Sequence, residues 1–193
     1  MKHLRVVAVL AALAGILLTA GPAAARNLAN AFTLTPMIGG HVFEGNQPYD
    51  DDWTYGLALG YNYDQIWGTE LLLFYTDANQ SSPYTGSADI YNGMINGLYH
   101  FLPEGPLVPY VTFGLGAQRR DNDRRSTEND FLLNWGLGAK YFISQEVALR
   151  VDARHLIAFD QGLDEPSKAH NNQLYSAGLT FQFGAPAPAP EPT

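Results

Sequence analysis

Trp53-Thr-Tyr-Gly-Leu-Ala-Leu-Gly-Tyr-Asn-Tyr63 is a stretch in which every odd position is large and apolar or aromatic and every even one is small or polar. A strict period of two marks a β-strand with two unlike faces, because successive side chains leave a strand on opposite sides. In a water-soluble sandwich the large set faces a packed core. In a small membrane barrel it faces lipid while the small residues line a narrow lumen. The period alone leaves both architectures open.

Seven more segments of this kind flank it: Phe32 to Phe43, Trp67 to Thr76, Asp89 to Phe101, Tyr110 to Gln118, Phe131 to Phe142, Val147 to Ile157 and Asn172 to Phe183. Most are long enough to cross a bilayer as tilted strands. Their connections alternate in length. Asp64 to Ile66, Leu102 to Val108 and Ser144 to Glu146 are short, whereas Glu44 to Asp52, Asp77 to Ala88, Arg119 to Asp130 and Ala158 to Asn171 are long and polar. A meander of eight strands then carries its tight turns at one end and its long loops at the other.

The chain's beginning supplies the context. Lys2 and Arg5 precede an apolar run from Val6 to Ala20, then Gly21-Pro22 and the small residues Ala23-Ala24-Ala25. That pattern predicts a secretory signal peptide over residues 1–25, with cleavage after Ala25, and its apolar run is short for a spanning helix. No cysteine is present, which excludes a lipoprotein anchor, disulfides and thiolate chemistry. Residues 26–184 then fit one domain, and the Ala/Pro-rich run 185–193 predicts an extended tail without a packing face.

Without Lys2 and Arg5, the remaining 9 basic residues stand against 19 Asp and Glu, a charge of roughly −10 that speaks against nucleic acid as a partner. Export combined with glycine-rich, aromatic, strand-like segments points to an all-β, eight-stranded antiparallel up-and-down transmembrane barrel in the bacterial outer membrane. With odd positions outward on these strands, Tyr61, Tyr63, Trp67, Tyr99, Phe101, Tyr141, Phe181 and Phe183 form an aromatic girdle beside the short turns. Trp53, Tyr55, Tyr75 and Tyr91 form a second set near the long loops. Aromatics favour strands in general, but bands at two depths are what two membrane–water boundaries select.

Trp67-Gly-Thr-Glu70, the run Leu98-Tyr-His-Phe-Leu-Pro-Glu-Gly-Pro-Leu-Val-Pro-Tyr110 and Asn134-Trp-Gly-Leu-Gly-Ala-Lys-Tyr-Phe142 resemble the OmpA-type outer-membrane barrel family. The resemblance covers essentially all of Phe32 to Gly184. Ser176-Ala-Gly178-Leu-Thr-Phe181-Gln-Phe183 is similar to that family's terminal signal, which implies that Gly178, Phe181 and Phe183 are recognised by the barrel assembly machinery. In OmpA-type proteins a tether like 185–193 leads to a peptidoglycan-binding domain, for which this sequence offers no residues. The family also implies an interior closed by a charged cluster.

Strand parity independently turns Glu70, Lys140, Arg150, Asp152 and Arg154 inward, with Asn96 and Asn134 beside them. A narrow lumen penalises any charge left without a partner, so these residues are expected to form an ion-pair cluster. The third strand lies across an eight-membered ring from the seventh, which lets Glu70 meet Arg150 or Arg154. Lys140 and Arg150 lie nearly opposite one another and need Glu70 or Asp152 between them. A fixed structural plug is favoured over a gate.

Four histidines test the reading of a lipid A-modifying enzyme. Parity turns His41 and His100 inward and His155 outward and leaves His170 in a loop, so no triad assembles. The expectation is therefore no catalysis and no cofactor. Asp50-Asp51-Asp52 lacks the spacing of a calcium loop. Arg119-Arg120 and Arg124-Arg125 suit lipopolysaccharide phosphates, although Asp121, Asp123, Glu128 and Asp130 offset them, and a solvated loop is the plainer reading. The expected function is structural, with a side-chain-filled lumen, loops for surface interactions with an unknown extracellular ligand, and outer-membrane lipid and lipopolysaccharide as surroundings. The alternatives are a small-solute channel of porin type, a lipid A-modifying barrel enzyme and a soluble lipocalin-like carrier.

Overall fold

The computed structural model describes residues 26–42, 52–79, 87–122, 128–160 and 169–184. The predicted signal peptide, the acidic run at 50–51, Arg124 and Arg125, and the Ala/Pro-rich tail lie outside the described residues. Eight strands follow in order: β1 Ala31–Val42, β2 Asp52–Asn62, β3 Trp67–Asn79, β4 Ser87–His100, β5 Leu107–Asn122, β6 Glu128–Phe142, β7 Val147–Asp160 and β8 Ala169–Phe183. Each pairs antiparallel with the next and β8 pairs with β1, which makes a closed barrel. Closure leaves no open edge strand among the described residues, with the β1–β8 register broken only between Leu34–Phe181 and Met37–Gly178, where Pro36 has no N–H to give.

The register fixes the barrel's shape. Followed across the strands from Phe32, partners run through Tyr61, Thr69, Gly97, Phe113, Trp135, His155 and Gln173 and return to β1 at Val42. A stagger of this size over eight strands tilts them by roughly 40° to the barrel axis. The two faces then separate as the period of two demands. Ile95, Phe113 and Leu137 are each about 60% exposed on the outside, and Leu57, Leu59, Leu71, Leu73, Leu115 and Leu179 continue the same surface. An apolar band of this extent suits lipid and removes the soluble-carrier alternative.

Three compact turns close one end. Asp64 Oδ1 accepts from the amides of Ile66 and Trp67 at 2.7 and 2.6 Å, and Ser144 Oγ accepts from those of Glu146 and Val147 at 3.2 and 3.1 Å, which are local side-chain turns. Neighbouring turns are also tied laterally, through His100 N to Ile66 O, Phe142 N to Pro106 O and Gln182 N to Glu146 O. At this end Phe32, Tyr61 and Tyr63 form one chain of ring contacts and Trp67, Tyr99 and Phe101 another, with centroids 4.8–5.3 Å apart.

At the opposite end the strands outrun the sequence reading. The segment expected as a loop from Arg119 to Asp130 is mostly ladder: β5 runs to Asn122 and β6 starts at Glu128. Ala158, Phe159 and His170, also assigned to a loop, are strand residues, with Ala158 paired to His170 and Phe159 to Ala169. Leu107 and Val108 belong to β5 instead of the preceding turn. Strands of 13–16 residues from β3 to β8 exceed the roughly 10 that a bilayer requires. Their polar ends therefore stand clear of the apolar band.

Leu102, in the turn between β4 and β5, has φ 49°. A branched residue in the left-handed region is disfavoured by about 1–2 kcal/mol, and this one is 74% exposed, so no packing compensates. Leu102→Asn is expected to raise the thermal unfolding midpoint in detergent, and Leu102→Val to lower it; equal midpoints would show that the turn bears no such strain.

Candidate functional site

The charged residues inside the barrel lie on facing strands. Glu70 on β3 is reached by Arg150 on β7 through Nη1 to Oε2 at 2.6 Å and Nη2 to Oε1 at 3.1 Å. Arg150 also grips Asp152, Nε to Oδ2 at 2.8 Å, while Arg154 Nη2 donates to Glu70 Oε1 at 2.8 Å and to Asp152 Oδ1 at 3.1 Å. Two guanidinium groups and two carboxylates therefore alternate in a neutral square, each residue under 5% exposed. The planar, forked geometry of arginine makes such a shared arrangement feasible where lysine would offer a point charge.

Tyr110, which parity had not assigned to the cluster, and Asn134 and Asn96, which it had placed beside it, complete the square. Tyr110 OH donates to Asp152 Oδ1 at 2.6 Å, and its ring lies 5.2 Å from the Arg150 guanidinium carbon. Arg154 Nη1 reaches Asn134 Oδ1 at 3.3 Å, and Asn134 in turn donates to Asn96 at 2.9 Å. Lys140 departs from the expected pattern. Its register partner is Arg150, but its Nζ bonds His100 Nε2 at 3.0 Å and, among the described residues, forms no ion pair with a carboxylate. Because His100 Nδ1 faces the carbonyl of Ile66 at 3.0 Å, Nδ1 carries the proton and Nε2 is left to accept from Lys140. Both carboxylates are already held by the two arginines, and lysine takes the ring nitrogen nearby.

Glycines explain how such large groups fit. Across the ladder, Glu70 faces Gly60, Tyr110 faces Gly138, Arg154 faces Gly136, and Arg150 faces Gly178. A Cβ added at Gly138 would strike the Tyr110 ring, and one at Gly136 would meet Arg154 Cγ at 2.9 Å. Gly178, singled out from the sequence as part of a terminal signal, faces Arg150 across the ladder, but the space its missing Cβ leaves is taken by Pro36 O and Met37 of β1. Phe181 and Phe183 of that signal point outward at the short-turn end, where Phe183 pairs with Phe32.

Toward the opposite end, the next inward residues on β3, β4, β6 and β7 are Leu72, Met94, Leu132 and Leu156. With Met37, Ala58, Phe74, Ala158 and Leu174 they form one buried apolar cluster inside the lumen. The sequence reading took the inward set as small or polar, and this layer corrects it. The signal was present in Leu71-Leu72-Leu73-Phe74, where both faces are apolar and no alternation survives. Above the layer come Gln118 bonded to Asn92 at 2.8 Å and Arg120 paired with Asp130 at 2.6 Å. Arg120 and Asp130 were expected among solvated loop charges. The continued ladder turns both inward, leaving Arg119 to face outward with Asp121 at 3.1 Å.

The histidines remain dispersed. His41 and His100 are buried in the lumen, His155 lies on the outer face with its ring nitrogens near Gln173 Nε2 and Asn171 Oδ1 at 2.8 and 3.2 Å, and His170 lies on β8. Among the described residues no group of three His, Asp or Glu side chains is placed to hold a metal ion.

A closed ring of eight tilted strands with an apolar exterior and a filled interior defines a small transmembrane β-barrel protein. The chain belongs to the outer membrane protein beta-barrel domain family, whose model matches residues 10–183, and it is a bacterial outer-membrane protein. No curated protein matches its sequence. In solved structures, the barrel is similar to Neisserial surface protein A, with a TM-score of 0.67 and 16% identity, covering 79% of this chain and 99% of that one. It is also similar to the N-terminal β-barrel domain of Pseudomonas aeruginosa OprF, with a TM-score of 0.54, 20% identity and coverage of 80% and 98%. For Pseudomonas aeruginosa OprG the TM-score is 0.57 at 16% identity, with coverage of 83% and 99%. At these identities the likeness is one of fold.

Breaking the square from one side strands a buried charge, which costs about 3–5 kcal/mol. Glu70→Ala is therefore expected to lower the unfolding midpoint in detergent far more than Leu71→Ala on the lipid face. Glu70→Ala combined with Arg150→Ala leaves Asp152 with Arg154 as a neutral pair, and a double-mutant cycle should recover part of the loss. Strict additivity would remove the coupling.

Proposed function

We propose that this protein is a non-enzymatic structural barrel of the outer membrane, with a lumen stoppered by its own side chains and outer strand ends and loops that serve as a contact surface. The observation that carries this reading is the stacking of layers inside the barrel: a neutral charge square, then the apolar cluster around Leu72, Met94, Leu132 and Leu156, then the Arg120–Asp130 pair. An ion following the axis meets paired charges it cannot displace cheaply and then an apolar layer that offers no hydration. This favours a plug over a gate, because releasing the square alone leaves the apolar layer in place.

The non-enzymatic reading is supported by the partners of the histidines. His155, the outward one, is held by two carboxamides, and among the described residues neither a hydroxyl nor a carboxylate bonds it to complete a nucleophile and its base. The contacts proposed for the outside are lipid along the apolar band, lipopolysaccharide phosphate at Arg119, and the barrel assembly machinery at Phe181 and Phe183.

In planar bilayers the parent is expected to show no steady conductance, and Glu70→Ala to remain closed, whereas Glu70→Ala with Leu72→Ala and Leu132→Ala should conduct. Conductance by the parent would favour the small-solute channel instead. The proposed orientation puts the short turns in the periplasm. Cysteines at Asp51, Ser82, Asn122 or Asp164 should react with an impermeant thiol label on intact cells, and those at Gln65 or Gln145 should not; the reverse pattern would invert the barrel.

A further inference from the structure

The residues just ahead of β1 take no part in the lumen stack, yet Asn27 is fully buried and Leu28 is only 3% exposed. Asn30, with φ 51°, sends the chain back across the short-turn mouth, in a conformation that asparagine tolerates better than most residues. There Asn27 N donates to Pro103 O in the β4–β5 turn at 3.2 Å, and Asn27 Nδ2 donates to Gln65 O in the β2–β3 turn at 2.8 Å. Its Oδ1 accepts from Asn62 Nδ2 at 3.2 Å, a donor shared with Leu28 O. Leu28 N donates to Gln182 Oε1 at 3.2 Å, and Gln182 Nε2 donates to Arg26 O at 2.8 Å and to Gln145 O in the β6–β7 turn at 2.6 Å.

These few residues are thereby bound, directly or through Gln182, to all three short turns, to β2 and to the last strand. Their partners are as far as 156 positions away in the chain and come to one mouth only when the ring is complete. A carboxamide suits the task, since it donates and accepts at once, and each bond formed in this buried position spares a polar group the penalty of going unpaired.

We propose that residues 26–30 form a latch and stopper: they dock on the short-turn mouth after β1 has paired with β8, lock the closed ring, and seal the lumen below Lys140 and His100. The proposal rests on the geometry of this mouth and is independent of what the outer loops contact. An interaction made after the folding transition state slows unfolding and leaves folding unchanged.

The test uses the full chain refolded in detergent. Because the protein has no cysteine, Val108→Cys, an inward position at the start of β5 that is buried in the parent, serves as a reporter of the mouth. Asn27→Ala and Leu28→Ala are each expected to reach the same heat-modifiable folded band. Their unfolding rates should rise about ten-fold while folding rates stay within about two-fold, and Val108→Cys should react with a soluble thiol reagent at least several-fold faster. Unchanged labelling would overturn the stopper, and an unchanged unfolding rate would overturn the latch. Folding slowed as much as unfolding is quickened, or failure of both variants to close, would mean that the segment acts before closure and would overturn the proposal as a whole.

Discussion

A polypeptide in hydrocarbon finds no water to satisfy its backbone, so every amide and carbonyl in the membrane must be paired within the protein. In this chain the requirement is met by pairing β8 with β1, and the rest of the architecture follows from that closure. Eight tilted strands enclose a lumen only wide enough for side chains. Whatever points inward must therefore pack and balance its charge, while whatever points outward meets lipid. The neutral square of Glu70, Arg150, Asp152 and Arg154 and the apolar layer next to it are two solutions to the same confinement, one through paired charge and the other through its absence.

Most of the fold was legible because the period of two is a direct record of the two faces. Trp53 to Tyr63 shows it plainly, and the inward placement of Glu70, Arg150, Asp152 and Arg154 follows by counting along strands. What escaped did so for physical reasons. Beyond the apolar band the outward face meets water and the inward face carries the paired charges of Arg120 and Asp130, so both faces are polar and the segments Arg119 to Asn122 and Glu128 to Asp130 lose their alternation of hydropathy although the ladder continues through them. Inside the barrel, Leu72, Leu132 and Leu156 adjoin outward apolar neighbours, and a run with both faces apolar cannot reveal which residue is inside. Lys140 shows a further limit: parity gives direction, but the choice between a carboxylate and His100 depends on which acceptors the arginines have already taken. Residues 26–30 have no periodicity at all, and only the assembled mouth gives Asn27 its meaning.

The barrel also distributes its interactions unevenly along its axis. The short-turn end is tied by local turn bonds, lateral bonds between turns, ring contacts and the segment ahead of β1, whereas at the far end the strands extend as ladder past the apolar band. A tightly fastened base beneath projecting strands suits the outward contact surface proposed above. The same division appears in Arg119 and Arg120, neighbours on β5: the outer one is available to solvent and ligands, and the inner one is committed to Asp130.

The pairing of several bulky lumen residues with a glycine on a neighbouring strand bears on how such a sequence can diverge. On the lipid face one apolar side chain replaces another with little consequence, so drift there is free and relatives soon cease to look alike. In the lumen, a side chain gained at Gly138 or Gly136 demands a smaller residue in place of Tyr110 or Arg154, and the smaller residue in turn disturbs the charge balance of its neighbours. Inherited change inside the barrel is therefore expected to move in linked sets, each a complete alternative packing, so that barrels with the same outline hold different interiors.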